Sequence, residues 1–212
     1  AASDVYKRQQ LSRSKNNGLI KIITGLRRSG KSFLLKKLFH QHLLDEGVRE
    51  DHILVIDMES RKNREFKNPD YLLDWVEKMM IDYETYYIII DEVQEVEDFV
   101  EVLSSLSVTE GADVYVTGSN SRFLSSDLVT EFRGRGDEIH VWPLSFKEFM
   151  TVYDGSKEDG WAEYRLYGGL PQLLTQVGDE KKADFLIPDY QRPYAWGEKE
   201  CQTLWDDLFL FA

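Results

Sequence analysis

Cysteine is almost absent: Cys201 stands alone among 212 residues, so no disulfide can form within the chain. Long apolar runs are absent too. A membrane-spanning helix needs about 20 apolar residues, and the run 86–90 is only strand-sized. The first residues are polar and charged, so no signal peptide is read there. These absences together predict a cytoplasmic protein with no membrane partner. Zinc spacing is missing: His40, His42, His52 and His140 are scattered and unpaired with cysteine, and are expected to be surface or satisfied core residues. Ser-His-Asp and Cys-His nucleophile arrangements are missing as well, as are internal repeats and low-complexity tracts.

Positive charge is scarce. The net charge is -12, which argues against a global nucleic-acid footprint. What there is gathers at one end: residues 1–37 hold ten Lys and Arg against one acid, Asp4, leaving 16 basic and 37 acidic residues for the rest. A polyphosphate site accounts for that clustering. A DNA-contacting arm is the alternative, and the net charge does not support it. Residues 82–101 carry eight acids and no base, a solvated face apart from two positions discussed below.

What is present is a repeating alternation of strand-like and helix-like segments. With 42% hydrophobic residues the chain has enough apolar side chains for one full core. Residues 1–17 are expected to be an unstructured or non-native leader. Residues 19–24 form a short β-branched run ended by Gly25 and read as a buried strand. Residues 32–44 place Phe33, Leu34, Leu35, Leu38, Phe39 and Leu43 at helical spacing, with Gly47 just beyond. Residues 52–58 are a second strand. Asn68, Pro69 and Asp70 mark a turn and cap, followed by a helix face of Tyr71, Leu72, Trp75, Val76, Met79 and Met80. A third strand over 86–90 ends at Asp91. Phe99, Val102, Leu103 and Leu106 make the next helix face, and strands four and five fall at 113–117 and 138–142. Helices are expected over 143–151 and 161–175, the latter broken at Gly168, Gly169 and Pro171. Such alternation predicts an α/β fold, a parallel sheet with helices on both faces.

Between the first strand and the first helix lies Gly25-Leu26-Arg27-Arg28-Ser29-Gly30-Lys31-Ser32, which fits G-x-x-x-x-G-K-[ST] at every fixed position. Glycines let successive backbone N–H groups converge on phosphate oxygens, and the helix N-terminus adds about +0.5 of partial charge. Lys31 is expected to reach the β- and γ-phosphates and Ser32 to ligate Mg²⁺. Phe33, next in the chain, is counted with these residues as a nucleotide contact. The third strand ends in Asp91 and Glu92. Paired acids at the end of a buried strand are unusual without a reason. Asp91 is expected to hold magnesium through its water shell and Glu92 to polarise the attacking water. A solvated acidic turn is the plain alternative. The fourth strand ends in Thr117, Gly118, Ser119 and Asn120, and Asn120 is expected to bond the water or the phosphate; a simple turn would explain it equally. Arg133 and Arg135, between the glycines of an F-R-G-R-G segment, are candidates for an arginine finger, worth about 10³–10⁵ in rate where one is used.

These motifs resemble the bacterial and archaeal AAA+-like ATPases whose phosphate loop reads G-x-R-R-x-G-K-[ST]. The resemblance also rests on residues 90–94 (IDEVQ), 116–122 (VTGSNSR), 132–135 (FRGR), 142–149 (WPLSFKEF) and 167–171 (YGGLP). It implies a three-layer α/β/α P-loop NTPase with sheet order 5-1-4-3-2 followed by short helices. It further implies ATP and Mg²⁺ as cofactors, Asn120 or Ser119 at the sensor position, and Arg133 or Arg135 as a finger that could join copies in a homo-oligomer. Members usually continue into a C-terminal winged-helix and nuclease-like part, which is not seen here. Residues 185–212 instead resemble the start of the GmrSD-type, ParB-like restriction family, with Gln191 and Arg192 on its motif. The expected division is an ATPase domain over 18–186 and a second fragment over 187–212.

The reading that follows is Mg-dependent ATP binding and hydrolysis. Its rival is an ATP-dependent binding switch with little turnover, which would not need Glu92. A P-loop kinase is a third reading, opposed by the Asp91-Glu92 pair.

Overall fold

The computed structural model describes residues 11–118 and 136–171. Five parallel strands form one sheet in the order β2-β3-β4-β1-β5, the order expected from the family resemblance. They are β1 (Ile20–Thr24), β2 (Ile53–Asp57), β3 (Tyr86–Asp91), β4 (Ala112–Thr117) and β5 (Gly136–His140). Side chains alternate across the sheet, and each set meets its own helices. Ile20, Ile22, Leu54, Ile56, Ile88, Ile90, Val114 and Val116 face one core. There they meet Leu72 and Val76 of α2 (Pro69–Met79) and Val102, Leu103 and Leu106 of α3 (Phe99–Ser107). Ile23, Ile53, Ile89, Tyr115 and Ile139 face the other core, against α1.

α1 runs in succession through Lys31–Phe33, a π-helical stretch Leu34–Phe39, and His40–Asp45. Leu34, Leu35, Phe39 and Leu43 are its buried face. The π-helical widening was not foreseen from the spacing. α2 starts as the Asn-Pro pair predicts: the Asn68 side chain accepts from the Tyr71 N–H at 2.9 Å, and Pro69 occupies a first-turn position that needs no donor.

The C-terminal elements depart from the sequence expectation. β5 ends at His140, two residues before Trp142, because Val141 bonds back to the Thr24 carbonyl and the chain then leaves the sheet. Residues 143–145 are not helical. A capping box on Ser145 and Glu148 starts the helix there, so α4 is only Phe146–Met150. α5 (Lys157–Tyr167) begins four residues earlier than expected, at the Ser156 cap, and stops at Gly168. The stretch after α5 then packs on the segment that leads from β5 to α4. Gly169 accepts from the Leu144 N–H at 2.7 Å, and a Cβ at Gly169 would collide with the Leu144 backbone. None of the helices among the described residues is long and apolar enough to cross a membrane.

Candidate functional site

The carboxyl ends of β1, β3 and β4 lie side by side, and the phosphate loop, Asp91 and Glu92 meet there. β1 ends in the phosphate loop. Its first glycine, Gly25, has φ +139°, and a Cβ there would strike the Val141 carbonyl oxygen. Only glycine fits against that backbone. Leu26, Arg27 and Arg28 are exposed, Ser29 turns inward, and α1 starts at Lys31. Phe33 projects from the first turn of α1, 59% exposed. Pro171, in the stretch following α5, comes up against Gly30.

Lys31 is 4% exposed, yet its ammonium meets no carboxylate within ion-pair distance among the described residues. It donates instead to the loop carbonyls of Gly25 and Leu26, both at 2.9 Å. Burial lowers its pKa, opposed by the nearby charges of Glu92 and Asp91. Ser29 Oγ is buried with no hydrogen-bond partner among the described residues. A buried cation on carbonyls and an unpaired hydroxyl are both donors awaiting an anion.

Asp91, 1% exposed, organises the other half of the site. Ser32 Oγ donates to its Oδ1 at 2.9 Å, and Thr117 Oγ1 donates to the same oxygen at 2.6 Å. Thr117 also accepts from the Glu92 N–H at 2.9 Å, so one β4 hydroxyl fixes both acids. Glu92 has a left-handed backbone (φ 58°, ψ 53°), as does Arg28 across the site. For non-glycine residues that conformation costs about 1–2 kcal/mol and concentrates at functional sites. Gln94 donates to Glu92 Oε2 at 2.5 Å.

Two residues not singled out in the sequence complete the arrangement. Lys36, one turn along α1 from Ser32, lies 2.7 Å from Asp91 Oδ2 and 2.8 Å from Asp57 Oδ2. Both contacts are within ion-pair distance, and both hydrogen bonding and charge attraction from the two carboxylates act on the ammonium. Burial alone would lower the Lys36 pKa, but the two carboxylates outweigh it and hold it above the ordinary lysine value. Asp57 ends β2 and is the register partner of Asp91. Thr117, a small strand-end residue beside the predicted Asn120, was the nearest sequence signal to this network.

The donor set suits a polyphosphate with a hard divalent cation: backbone amides and an ammonium for anionic oxygens, hydroxyl and carboxylate oxygens for the metal. Gly25, Ser29, Gly30, Lys31, Ser32, Asp91 and Glu92 are brought together. Ser119, Asn120, Arg133 and Arg135 lie outside the described residues. Of the histidines, His52 is at the opposite end of the sheet. It is buried, stacked on Tyr86 at 4.3 Å, and faces Asp82 at 3.2 Å and Glu84 at 3.5 Å. His52 with these two carboxylates falls in a cluster of ligand-type atoms, but Arg49 also reaches Asp82, at 3.5 Å.

An uncharacterized protein of Haemophilus influenzae is 36% identical over 185 residues, covering 84% of this chain and 46% of that protein. The uncharacterized protein MJ1544 of Methanocaldococcus jannaschii is 25% identical, covering 81% and 40% respectively. The chain thus spans less than half the length of these curated relatives. Among solved structures, Drosophila ORC bound to DNA aligns with a TM-score of 0.47 at 14% identity, over 66% of this chain and 90% of that one. C. elegans PCH-2 aligns with a TM-score of 0.47 at 14% identity, over 97% and 54%. Residues 172–210 match the N-terminal domain of the GmrSD restriction endonuclease, beginning inside the stretch that the motifs assign to the first domain. Residues 17–150, more than half of the chain, match the AAA domain model, and the chain belongs to that nucleotide-binding family.

Proposed function

We propose that the chain binds ATP with Mg²⁺ and hydrolyses it. The observation that supports this best is the buried Lys31 ammonium, which among the described residues donates to two loop carbonyls, beside the Ser32–Asp91 pair. When bound, Mg·ATP supplies the reactive phosphoanhydride and the divalent charge that offsets its leaving oxygen. The chain's residues do the rest. Loop amides around Ser29 and Gly30 receive phosphate oxygens, and Lys31 exchanges its carbonyls for the β- and γ-phosphates. Ser32 Oγ and Asp91 are the residues that would hold the cation. Glu92 accepts a hydrogen bond from the attacking water and polarises it.

Asn120 or Ser119 would sense the γ-phosphate. Arg133 or Arg135 would act as a finger, within the chain or across a homo-oligomer. The AAA-type unit and the GmrSD-like unit would meet between residues 150 and 187. Packing of Gly169 on Leu144 and of Pro171 beside Gly30 favours assigning residues up to 171 to the first unit.

The test is ATP turnover per protomer across a protein-concentration series, with ATP affinity by calorimetry. Turnover that rises with concentration supports hydrolysis by an assembled form. Tight binding with negligible turnover at every concentration favours the rival binding switch. Absence of ATP binding overturns the proposal.

A further inference from the structure

Asp57 and Asp91 stand opposite each other at the ends of adjacent parallel strands, with Met58 N–H bonded to the Asp91 carbonyl at 3.1 Å. Both side chains point to the face covered by α1, since Ile53 and Ile89, an even number of positions before them, lie in that core. Two carboxylates so placed, with the Ser32 and Thr117 hydroxyls on one of them, make a hard-oxygen set of the kind that takes a divalent cation. Lys36 occupies the space between them, reaching both at 2.7–2.8 Å. It enters from the helix that carries the phosphate loop, five positions after Lys31.

We infer that Lys36 is a built-in counter-cation that keeps the Asp57–Asp91 pair from capturing a divalent ion in the absence of nucleotide. The inference rests on the nucleotide reading above and deepens it, naming how the metal is made to arrive with the phosphates. Three charges sum to one negative: two carboxylates and one ammonium. That leaves Asp91 one partly used oxygen, Oδ2, and too little field to strip a free cation of its water. Phosphate oxygens bring the missing negative charge. Without Lys36 the pair carries two negative charges, and the site becomes a free-standing cation trap. Lys36 is therefore a positioning residue that sets the order of binding rather than a group that touches the reacting atoms.

The experiment uses the full chain without nucleotide, titrated with MgCl₂ and with MnCl₂, followed by calorimetry and thermal midpoint. Lys36→Met should gain affinity for the free cation by on the order of tenfold or more over wild type, because a full unit charge is removed a few ångströms away. Lys36→Arg, which keeps the charge, should behave as wild type. Lys36→Met combined with Asp57→Asn, which restores the net charge of the cluster, should lose the gain. If Lys36→Met binds Mg²⁺ and Mn²⁺ no better than wild type, the inference is overturned. It is overturned equally if Lys36→Arg shows the same gain. Should Lys36→Met fail to fold, Lys36→Gln carries the same expectation. ATP binding by the wild type is measured alongside. A wild type that binds no ATP, with the charge-dependent gain present, overturns the nucleotide reading and leaves the role of Lys36 standing.

Discussion

The Lys21 ammonium on β1 meets the Asp113 carboxylate on β4 inside the sheet, both side chains nearly devoid of solvent. Tyr115 donates its hydroxyl to the same carboxylate at 3.0 Å, the Asn16 N–H does so at 3.1 Å, and Lys21 lies 5.1 Å from the Tyr115 ring centre. Burial first, and then the Asp113 charge, push the Tyr115 pKa far above the ordinary tyrosine value. The pair ties the strand that carries the phosphate loop to its neighbour. Removing one partner strands the other as a buried charge. Asp113→Ala is expected to destabilise the fold by roughly 3–5 kcal/mol, and joint replacement of Lys21 by Met and Asp113 by Leu should recover most of that. Urea unfolding of the two variants measures it; a joint variant no more stable than Asp113→Ala would show that the two groups are not coupled.

Lys31→Ala should remove a charge-assisted contact of about 1.5–3 kcal/mol, weakening ATP binding at least tenfold. The fold should survive, because among the described residues the ammonium donates to the loop's own carbonyls. Calorimetry with ATP, paired with a thermal midpoint, separates the two effects. Unchanged affinity would dismiss the phosphate-loop assignment.

Glu92→Gln should bind ATP as the wild type does and hydrolyse it about 10²–10⁴-fold more slowly, since an amide holds water without acting as a base. Single-turnover rates decide the matter. A wild-type rate would make Glu92 a part of the acidic surface and nothing more.

Thr117→Val keeps the shape of the side chain and deletes the hydroxyl that serves both acids. The Glu92 N–H loses its acceptor and Asp91 loses a donor. The expected cost is about 1–3 kcal/mol of stability. Turnover should fall more than ATP affinity, because the freed Glu92 backbone no longer fixes the water-polarising group. Equal changes in both would mean that Thr117 acts on binding alone.

The sequence made these elements legible to different degrees. The phosphate loop is read from eight contiguous residues, and Asp91-Glu92 from a hydrophobic strand that stops at two acids. Both are local signals. Lys36, Asp57 and Thr117 belong to the site only because three strand ends and one helix converge, and no short-range spacing encodes that. Lys21 lies within the run read as a buried strand, and its partner there, Asp113, is 92 positions away. β5 was displaced by two residues because Val141 and Trp142 continue the apolar pattern, although only Val141 is buried, while Trp142 is 65% exposed. α4 was drawn too long since Pro143 suits a helix start, whereas the Ser145–Glu148 capping box sets it.

The bracing of Gly25 against Val141 has a consequence for the time at which the phosphate loop takes shape. β1 is the first strand of the chain, yet its partners in the sheet are the fourth and fifth. Thr24, the residue before the loop, bonds His140 across 116 positions. During synthesis the loop therefore leaves the ribosome before the two strands that flank β1 in the sheet. Such distant pairing carries a large loop-closure cost and slows folding. A nucleotide bound at the loop would favour the completed sheet over its partly paired precursors.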